Sequence, residues 1–312
     1  GTTAAGLDYL QAAPVGENLR TAFSEWRASG DFNADIDVLI PLGQQSREPD
    51  IRLVMNLESN ALDIPEFSLQ FAELSGPVIF DTRTGVEETQ LTAHLFNKPV
   101  SFTLGSQTDD NGRISAITLS GDGSVATQDL AAWPRQSAFV RALLNNAEGD
   151  FDYTAELIID QTGDMSQQTQ LLIQSDLAGT ALHWPQPFDK AADSDRPLTL
   201  SVDFSEATQE LRGELGNNLQ FQLGMEDGNL VNGVVLVGTE QSLLSNLVEN
   251  ESDGLAILGA VERLELSQWT DFIASIGATT MGSASGSASI VSGASESIAF
   301  IDVTTEILDI YE

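Results

Sequence analysis

The chain has 312 residues, with 47 Asp and Glu against 13 Lys and Arg, a formal charge of −34, two histidines and no cysteine. Lys98 and Lys190 are the only lysines, so the clustered basic surface that nucleic acid requires is excluded and attraction to an anionic membrane surface is disfavoured. Zero cysteine excludes thiolate metal sites, disulfide scaffolds and cysteine nucleophiles. The charged fraction is 19% and the hydrophobic fraction 41%, values of a folded protein rather than of an acidic disordered tail. No uninterrupted apolar run reaches the length of a membrane-spanning helix. The chain opens at Gly1 with neither initiator Met nor signal peptide, as expected of a processed protein or a piece of a longer one.

In chain order, Leu19, Phe23 and Trp26 share one face of a predicted helix in ENLRTAFSEW. Phe32, Ala34, Ile36, Val38 and Ile40 then alternate with polar residues, and Ile51, Leu53, Met55 and Leu57 do the same. Strict alternation predicts strands with one apolar and one polar face. Asn111-Gly112 separates VSFTLGS from RISAITLSG and predicts a hairpin turn. Phe139, Leu143 and Leu144 predict a short helix. Alternation returns at Leu198, Leu200, Val202 and Phe204, and at Leu219, Phe221 and Leu223, with Asp227-Gly228 as the next hairpin turn. Short helices are predicted around Leu243, Leu244, Leu247 and Val248, and around Trp269, Phe272, Ile273 and Ile276. The whole reads as a long antiparallel meander with one apolar face, capped by a few short helices.

The chain also repeats itself. Gly30 to Ile40 (GDFNADIDVLI) aligns with Gly149 to Ile159 (GDFDYTAELII), and Gly123 to Trp133 (GSVATQDLAAW) pairs with Gly259 to Trp269 (GAVERLELSQW). A spacing above about 100 residues exceeds the 20–50 of solenoids and suggests large β modules laid end to end. The expected modules are residues 1–130 with N-terminal helices, a second over 131–255, and the start of a third over 256–312. The Gly/Ser/Ala tract of residues 281–297 is expected to be a mobile loop.

Reactive constellations are weak. Gly121 to Ala126 (GDGSVA) matches the GxGxxA pattern of dinucleotide sites, but it lacks a βαβ context, and an Asp would face the pyrophosphate; a hairpin turn is expected instead. Asp31, Asn33, Asp35 and Asp37 imitate the start of a calcium loop, but Ile36 stands where the loop needs Gly and Leu42 where it needs Glu. A solvated strand face is the better reading. Asp109-Asp110-Asn111-Gly112 reads as a turn before a metal site. His94 and His183 lie in strand-like runs with no GxSxG near the serines, and both are expected to be structural. No pair of carboxylates stands out for glycoside hydrolysis. What remains is an extended sheet with one apolar face that must be covered. Either it closes into a core, or it curls partly and leaves an apolar trough suited to acyl chains.

The ordered set of longer segments carries a resemblance. YLQAAPVGENLRTAFSEWRASGDFNADIDVLIPL, with Ala13-Pro14-Val15, Trp26, Gly30 and Ile40-Pro41-Leu42, resembles the YhdP-type branch of the AsmA-like family of Gram-negative envelope proteins. Ile64-Pro65, Leu74-Ser75-Gly76, Thr84-Gly85, LAAWP at 130–134 and residues 175–198 continue it in order. The resemblance implies an inner-membrane-anchored protein that crosses the periplasm with an elongated apolar β groove and moves phospholipids towards the outer membrane. It therefore implies a mainly β fold with a curled antiparallel sheet, no enzymatic activity, no cofactor and no metal. Expected partners are phospholipid, and the inner and outer membranes through parts outside this piece; nucleic acid is not expected, and the chain is expected to be a monomer. Phe32, Ile36, Val38, Ile40, Tyr153, Leu157 and Ile159, on the in-register apolar faces of the repeated strands, are the expected groove lining. The alternative is an acidic envelope adhesin or spacer with a closed core and calcium-dependent stability.

Overall fold

Period-two alternation becomes strand along most of the chain. The computed structural model describes residues 1–12, 25–40, 50–65, 68–109, 114–134, 138–160, 169–203, 209–226, 229–238, 254–280 and 298–309. Among these, seventeen strands and four helices form two compact units. One comprises Gly1–Ser124 and Thr154–Leu171, the other Val125–Tyr153 and Leu172–Glu312.

In the first unit, helix α1 (Thr3–Ala12) precedes strands β1 (Arg27–Ser29), β2 (Phe32–Leu39), β3 (Asp50–Ile64), β4 (Leu69–Asp81), β5 (Gly85–Val86), β6 (Thr89–Leu95), β7 (Lys98–Thr108) and β8 (Ile114–Ala126). β1 and β2 both pair with β3, and the ladder runs on antiparallel through β4, β6, β7 and β8, with β5 as a short branch on β4. No pairing among the described residues of this unit closes it into a barrel. Its core sits at Leu57, Leu74, Leu91, Ala93 and Val100, with Phe32, Phe71 and Phe102 packed around it. The long β3–β4 hairpin bends where its register shifts, at Ser59 (φ 53°) and Glu73 (φ 53°). Such bulges change a strand's direction without ending the ladder.

Beyond Ser124 the chain forms α2 (Thr127–Ala132), α3 (Ala138–Leu144), β9 (Ala147–Asp160), β10 (Gln170–Ser175) and β11 (Thr180–Leu182). Strands β12 (Leu198–Asp203), β13 (Gln209–Leu215), β14 (Leu219–Glu226), β15 (Asn229–Val237), β16 (Gly254–Glu265) and β17 (Ile298–Asp309) follow, with α4 (Leu266–Thr280) after β16. β12 to β15 are antiparallel neighbours, whereas β15–β16 and β16–β17 are parallel. The expected antiparallel meander is thus the main pattern, and the last two pairings are parallel. Parallel neighbours need a crossover rather than a tight turn, and α4 lies in the β16–β17 crossover.

The repeated segments adopt repeated local structure. Gly30 and Gly149 both have positive φ, 109° and 113°. β8 runs into α2 as β16 runs into α4, and the aligned residues Val125 and Val261 are both buried. The GDGSVA segment lies inside β8, not in a hairpin turn. Gly121 faces Phe102 of β7, where any Cβ would overlap Phe102 and the Ser101 carbonyl, so the missing side chain serves strand packing. Trp26 lies just before β1 and not in a helix; Leu19 and Phe23 are outside the described residues. So are both predicted turn dipeptides, Asn111-Gly112 and Asp227-Gly228, the helix at Leu243–Val248, Leu42 and the 281–297 tract.

Candidate functional site

The sheet ladder of the first unit sorts side chains by face. The register aligns Ile36 with Leu53 and Phe80, Val38 with Ile51, and Phe32 with Leu57. One residue along, Asp37 aligns with Arg52 and Asp81. Residues in register share a face, so the Ile36 surface backs onto a mixed face that carries Asp35, Asp37, Arg52 and Asp81 together with Val54, Ile79 and exposed Leu39.

The apolar surface changes character along its strands. At the Phe32–Leu57 end it is covered by α1. A Cβ on Gly6 would meet the Phe32 ring at 3.3 Å, so the helix passes close over it. Asn60, fully buried, ties this end together: its Nδ2 donates to Thr3 Oγ1 and, at 3.1 Å, to the Asp31 carbonyl, while its Oδ1 accepts from Glu58 N–H. At the other end the surface is open. Ile36 is 61% exposed, Val38 53% and Ile40 60%, with Leu53, Ile51, Val78 and Phe80 only half-buried beside them. A run of large apolar side chains at such exposure is unlike scattered surface leucines and marks a place for an apolar partner.

The predicted lining residues therefore occupy different surroundings. Phe32 is half-buried under α1; Ile36, Val38 and Ile40 are exposed; Tyr153, Leu157 and Ile159, on one face of β9, are half-buried between exposed Thr154 and Glu156.

The second unit carries a further apolar face that the sequence pattern did not single out as lining. Leu200, Gly213, Phe221, Val235 and Ile257 form one row across β12 to β16. Leu198, Leu215, Leu219, Val237 and Gly259 form the next. The alternation of LTLSVD and LQFQL was its signal; the register that aligns these strands was not visible in it. An aromatic cluster covers the second row. Phe188, 2% exposed, packs with Val237 and Val261 amid Trp184, Leu219, Trp269 and Val303. The Phe188 and Trp269 rings meet edge to face at 5.8 Å, and Trp269 and Phe272 at 6.2 Å.

Charged groups are held by specific partners, and the Arg196 guanidinium lies over the Phe188 ring, 5.9 Å from its centroid. Arg52 makes a two-point ion pair with Glu87; the hydrogen bond holds the Glu87 carboxyl below, and the guanidinium above, its usual range. Asp81 is held below the usual carboxylate range chiefly by the Arg83 backbone N–H, 2.8 Å away. Buried Lys190 donates to the Thr180 and Ala191 carbonyls at 2.7 and 3.1 Å, and burial pulls its pKa down.

The motifs weighed for chemistry resolve simply. Asp31, Asn33, Asp35 and Asp37 are all exposed along β2 and its approach. Among the described residues no group of three His, Asp or Glu is placed to hold a metal. His94 Nδ1 lies 3.4 Å from Glu73, and His183 Nε2 lies 3.7 Å from Glu148. Among the described residues no helix is long and apolar enough to cross a membrane.

The fold and its surfaces define a strand-dominated protein, open and mostly antiparallel in its sheet, with apolar faces only partly covered by short helices. Residues 1–312 match the sequence profile of the YhdP protein family, and the chain belongs to that family. The intermembrane phospholipid transporter YhdP of Escherichia coli (strain K12) is 22% identical over 214 residues, 68% of this chain. The chain spans 16% of that relative's length. No solved structure matches the chain.

Proposed function

We propose that this chain is a segment of an inner-membrane-anchored, bridge-like periplasmic protein that conducts phospholipid acyl chains towards the outer membrane, with no chemical step. The observation that carries this reading is the open apolar surface at Ile36, Val38 and Ile40, in register with Leu53 and Phe80. Its family membership, and a relative that is an intermembrane phospholipid transporter, support the choice of cargo. Each acyl CH₂ removed from water on such a surface contributes about 0.8 kcal/mol, so a continuous strip holds a chain without specific hydrogen bonds. Headgroups then stay in water, and little headgroup selectivity follows. Tyr153, Leu157 and Ile159 extend the lining in this reading, and modules 1–130, 131–255 and 256–312 form successive parts of one groove. The chain acts as a monomer.

Site-specific photo-crosslinking tests the reading. A photoreactive residue replaces Ile36, Val38 or Leu53 on the apolar face, and Asp35 or Asp37 on the opposite face, in the full chain supplied with phospholipid. Mass spectrometry is expected to find lipid adducts at the first three positions and not at the aspartates. Equal labelling of both faces, or none on the apolar face, overturns it.

A further inference from the structure

The apolar face of the first unit is open at one end and stopped at the other. Four rows across β2 to β5 make it up: Val38 with Ile51; Ile36 with Leu53, Phe80 and Val86; Ala34 with Met55 and Val78; and Phe32 with Leu57 and Gly76. On β2, Val38, Ile36 and Ala34 are exposed, whereas Phe32 is half-buried. On β3, Ile51, Leu53 and Met55 are half-buried, whereas Leu57 is 8% exposed. Neighbouring rows lie about 7 Å apart along a strand, so the face closes within one row spacing, at Phe32.

Three features build the closed end. A Cβ on Gly1 or Gly6 would stand 3.1 or 3.3 Å from the Phe32 ring, so the segment that begins α1 lies against it. That segment is fastened to the sheet. Phe32 N–H donates to the Gly1 carbonyl and Thr3 N–H to the Gly30 carbonyl, both at 2.9 Å. The Thr3 hydroxyl donates to the Gly30 carbonyl at 3.2 Å and accepts from Asn60 Nδ2. Asn60, with no exposed surface, stands where the register of β3 and β4 shifts just beyond Leu57. Such an irregularity turns the strands, so the four rows end at the level where α1 is tied down.

We propose that Phe32 under α1 is an end stop that sets how far an acyl chain reaches along this face. The chain lies along the strands, with its headgroup end at Val38 and Ile40 and its methyl end against Phe32. A charged headgroup at the other end would lose its water among Phe32, Leu57 and an Asn60 side chain whose bonds are already made. Phe32 determines the chain length accepted, and Thr3 and Asn60 are positioning residues that hold α1 on it. From Ile40 to Ala34 the open stretch is six residues of strand, about 20 Å. CH₂ groups beyond that stretch meet no open apolar surface unless Phe32 is displaced from its packing on the core. The proposal rests on the phospholipid reading above and adds a limit on acyl-chain length to it.

Crosslinking in the full chain tests the stop. Two phosphatidylethanolamines are used, one with a diazirine at the methyl end of an acyl chain and one with it beside the ester, and adducts are mapped by mass spectrometry. The methyl-end probe is expected to label Phe32, Ala34 and Met55 severalfold more than Val38 and Ile40, and the ester-side probe the reverse. Competition by lysophosphatidylethanolamines from lauroyl to arachidoyl, each below its micelle-forming concentration, measures length. Each CH₂ taken up by the open stretch is expected to strengthen binding by up to about fourfold, and the gain is expected to stop at a fixed chain length. Phe32→Ala is expected to move that limit to longer chains and to bring methyl-end adducts to Leu62, which packs on the core beyond the register shift. Thr3→Val is expected to act in the same direction more weakly, and Thr3→Ser, which keeps the hydroxyl, to leave the limit in place. Phe32→Leu, with a smaller shift of the limit, serves if the alanine variant unfolds by circular dichroism. Even labelling of the face by both probes, a gain that continues through the longest chain, or a limit unmoved by folded Phe32 variants overturns the stop, while adducts at Val38 keep the lipid reading. Absence of adducts on this face with either probe overturns the lipid reading and the stop with it.

Discussion

A few side chains in this protein set local geometry out of proportion to their size. Gly30 adopts φ 109°, and a Cβ there would lie 2.7 Å from Asn60 Nδ2, so the glycine makes room for the buried amide that joins α1 to the sheet. Asp81 is the clearest electrostatic case. It is buried, its Oδ1 accepts the Arg83 N–H, and its pKa is lowered by that bond first and by the nearby guanidinium groups of Arg83 and Arg52 after it. A carboxyl with a folded-state pKa below its unfolded value stabilises the fold above the ordinary Asp range. That contribution is lost as pH falls through the folded-state value, because the unfolded chain then binds the proton first. Asp81→Asn keeps an acceptor oxygen and removes only the charge. It is expected to lower the melting temperature at pH 7 by about 2 °C. The gap from the unaltered chain is expected to narrow as pH falls below the ordinary Asp range and through the folded-state value, which paired thermal melts across acidic pH will show.

At the scale of elements, what was legible depended on how local the cause is. The alternation in FNADIDVL, IRLVMNL, LTLSVD and LQFQL is a property of neighbouring residues, and all four segments are strands. The helices at Ala138–Leu144 and Leu266–Thr280 were equally visible from their apolar spacing. The helices α1 and α2 were not: TAAGLDYLQA has no acidic residue in its first turn, and the six-residue TQDLAA has no side-chain cap. The parallel pairing of β15, β16 and β17 depends on contacts far apart in sequence. So does the aromatic cluster, which brings residues 184–188 against 269–272. Of the candidate lining, the apolar faces could be read from alternation, but not which end of a face is covered. That depends on α1 in one unit and on Phe188 in the other. Gly213 shows the same limit at one residue. Its place in ELRGEL gives no hint that a Cβ there would overlap the Phe221 ring, which lies across it from β14. Gly213→Val is therefore expected to lift Phe221 from the sheet and cost about 1–3 kcal/mol by overpacking. Denaturant melts check the loss, and Gly213→Val combined with Phe221→Leu is expected to recover part of it.

For the molecule as a whole the dominant quantity is the charge of −34. Acids such as Asp37 and Glu214 stand on the strand faces opposite the apolar rows of Ile36 and Leu215, so the charge keeps the outside of the sheets in water and says little about cargo. With only 13 basic residues to offset it, repulsion among the carboxylates opposes the folded state. Screening shortens the reach of that repulsion from about 10 Å at 0.1 M salt to about 3 Å at 1 M. The melting temperature is accordingly expected to rise with NaCl by several degrees between low salt and about 0.5 M. The same experiment separates general screening from a bound cation. At matched ionic strength, calcium and magnesium are expected to shift the midpoint equally, because Asp31, Asn33, Asp35 and Asp37 are spread at alternate positions along an exposed strand rather than gathered round a centre. A midpoint that rises with calcium at micromolar concentration, and not with magnesium, would instead identify a specific site and favour the acidic spacer over the lipid conduit.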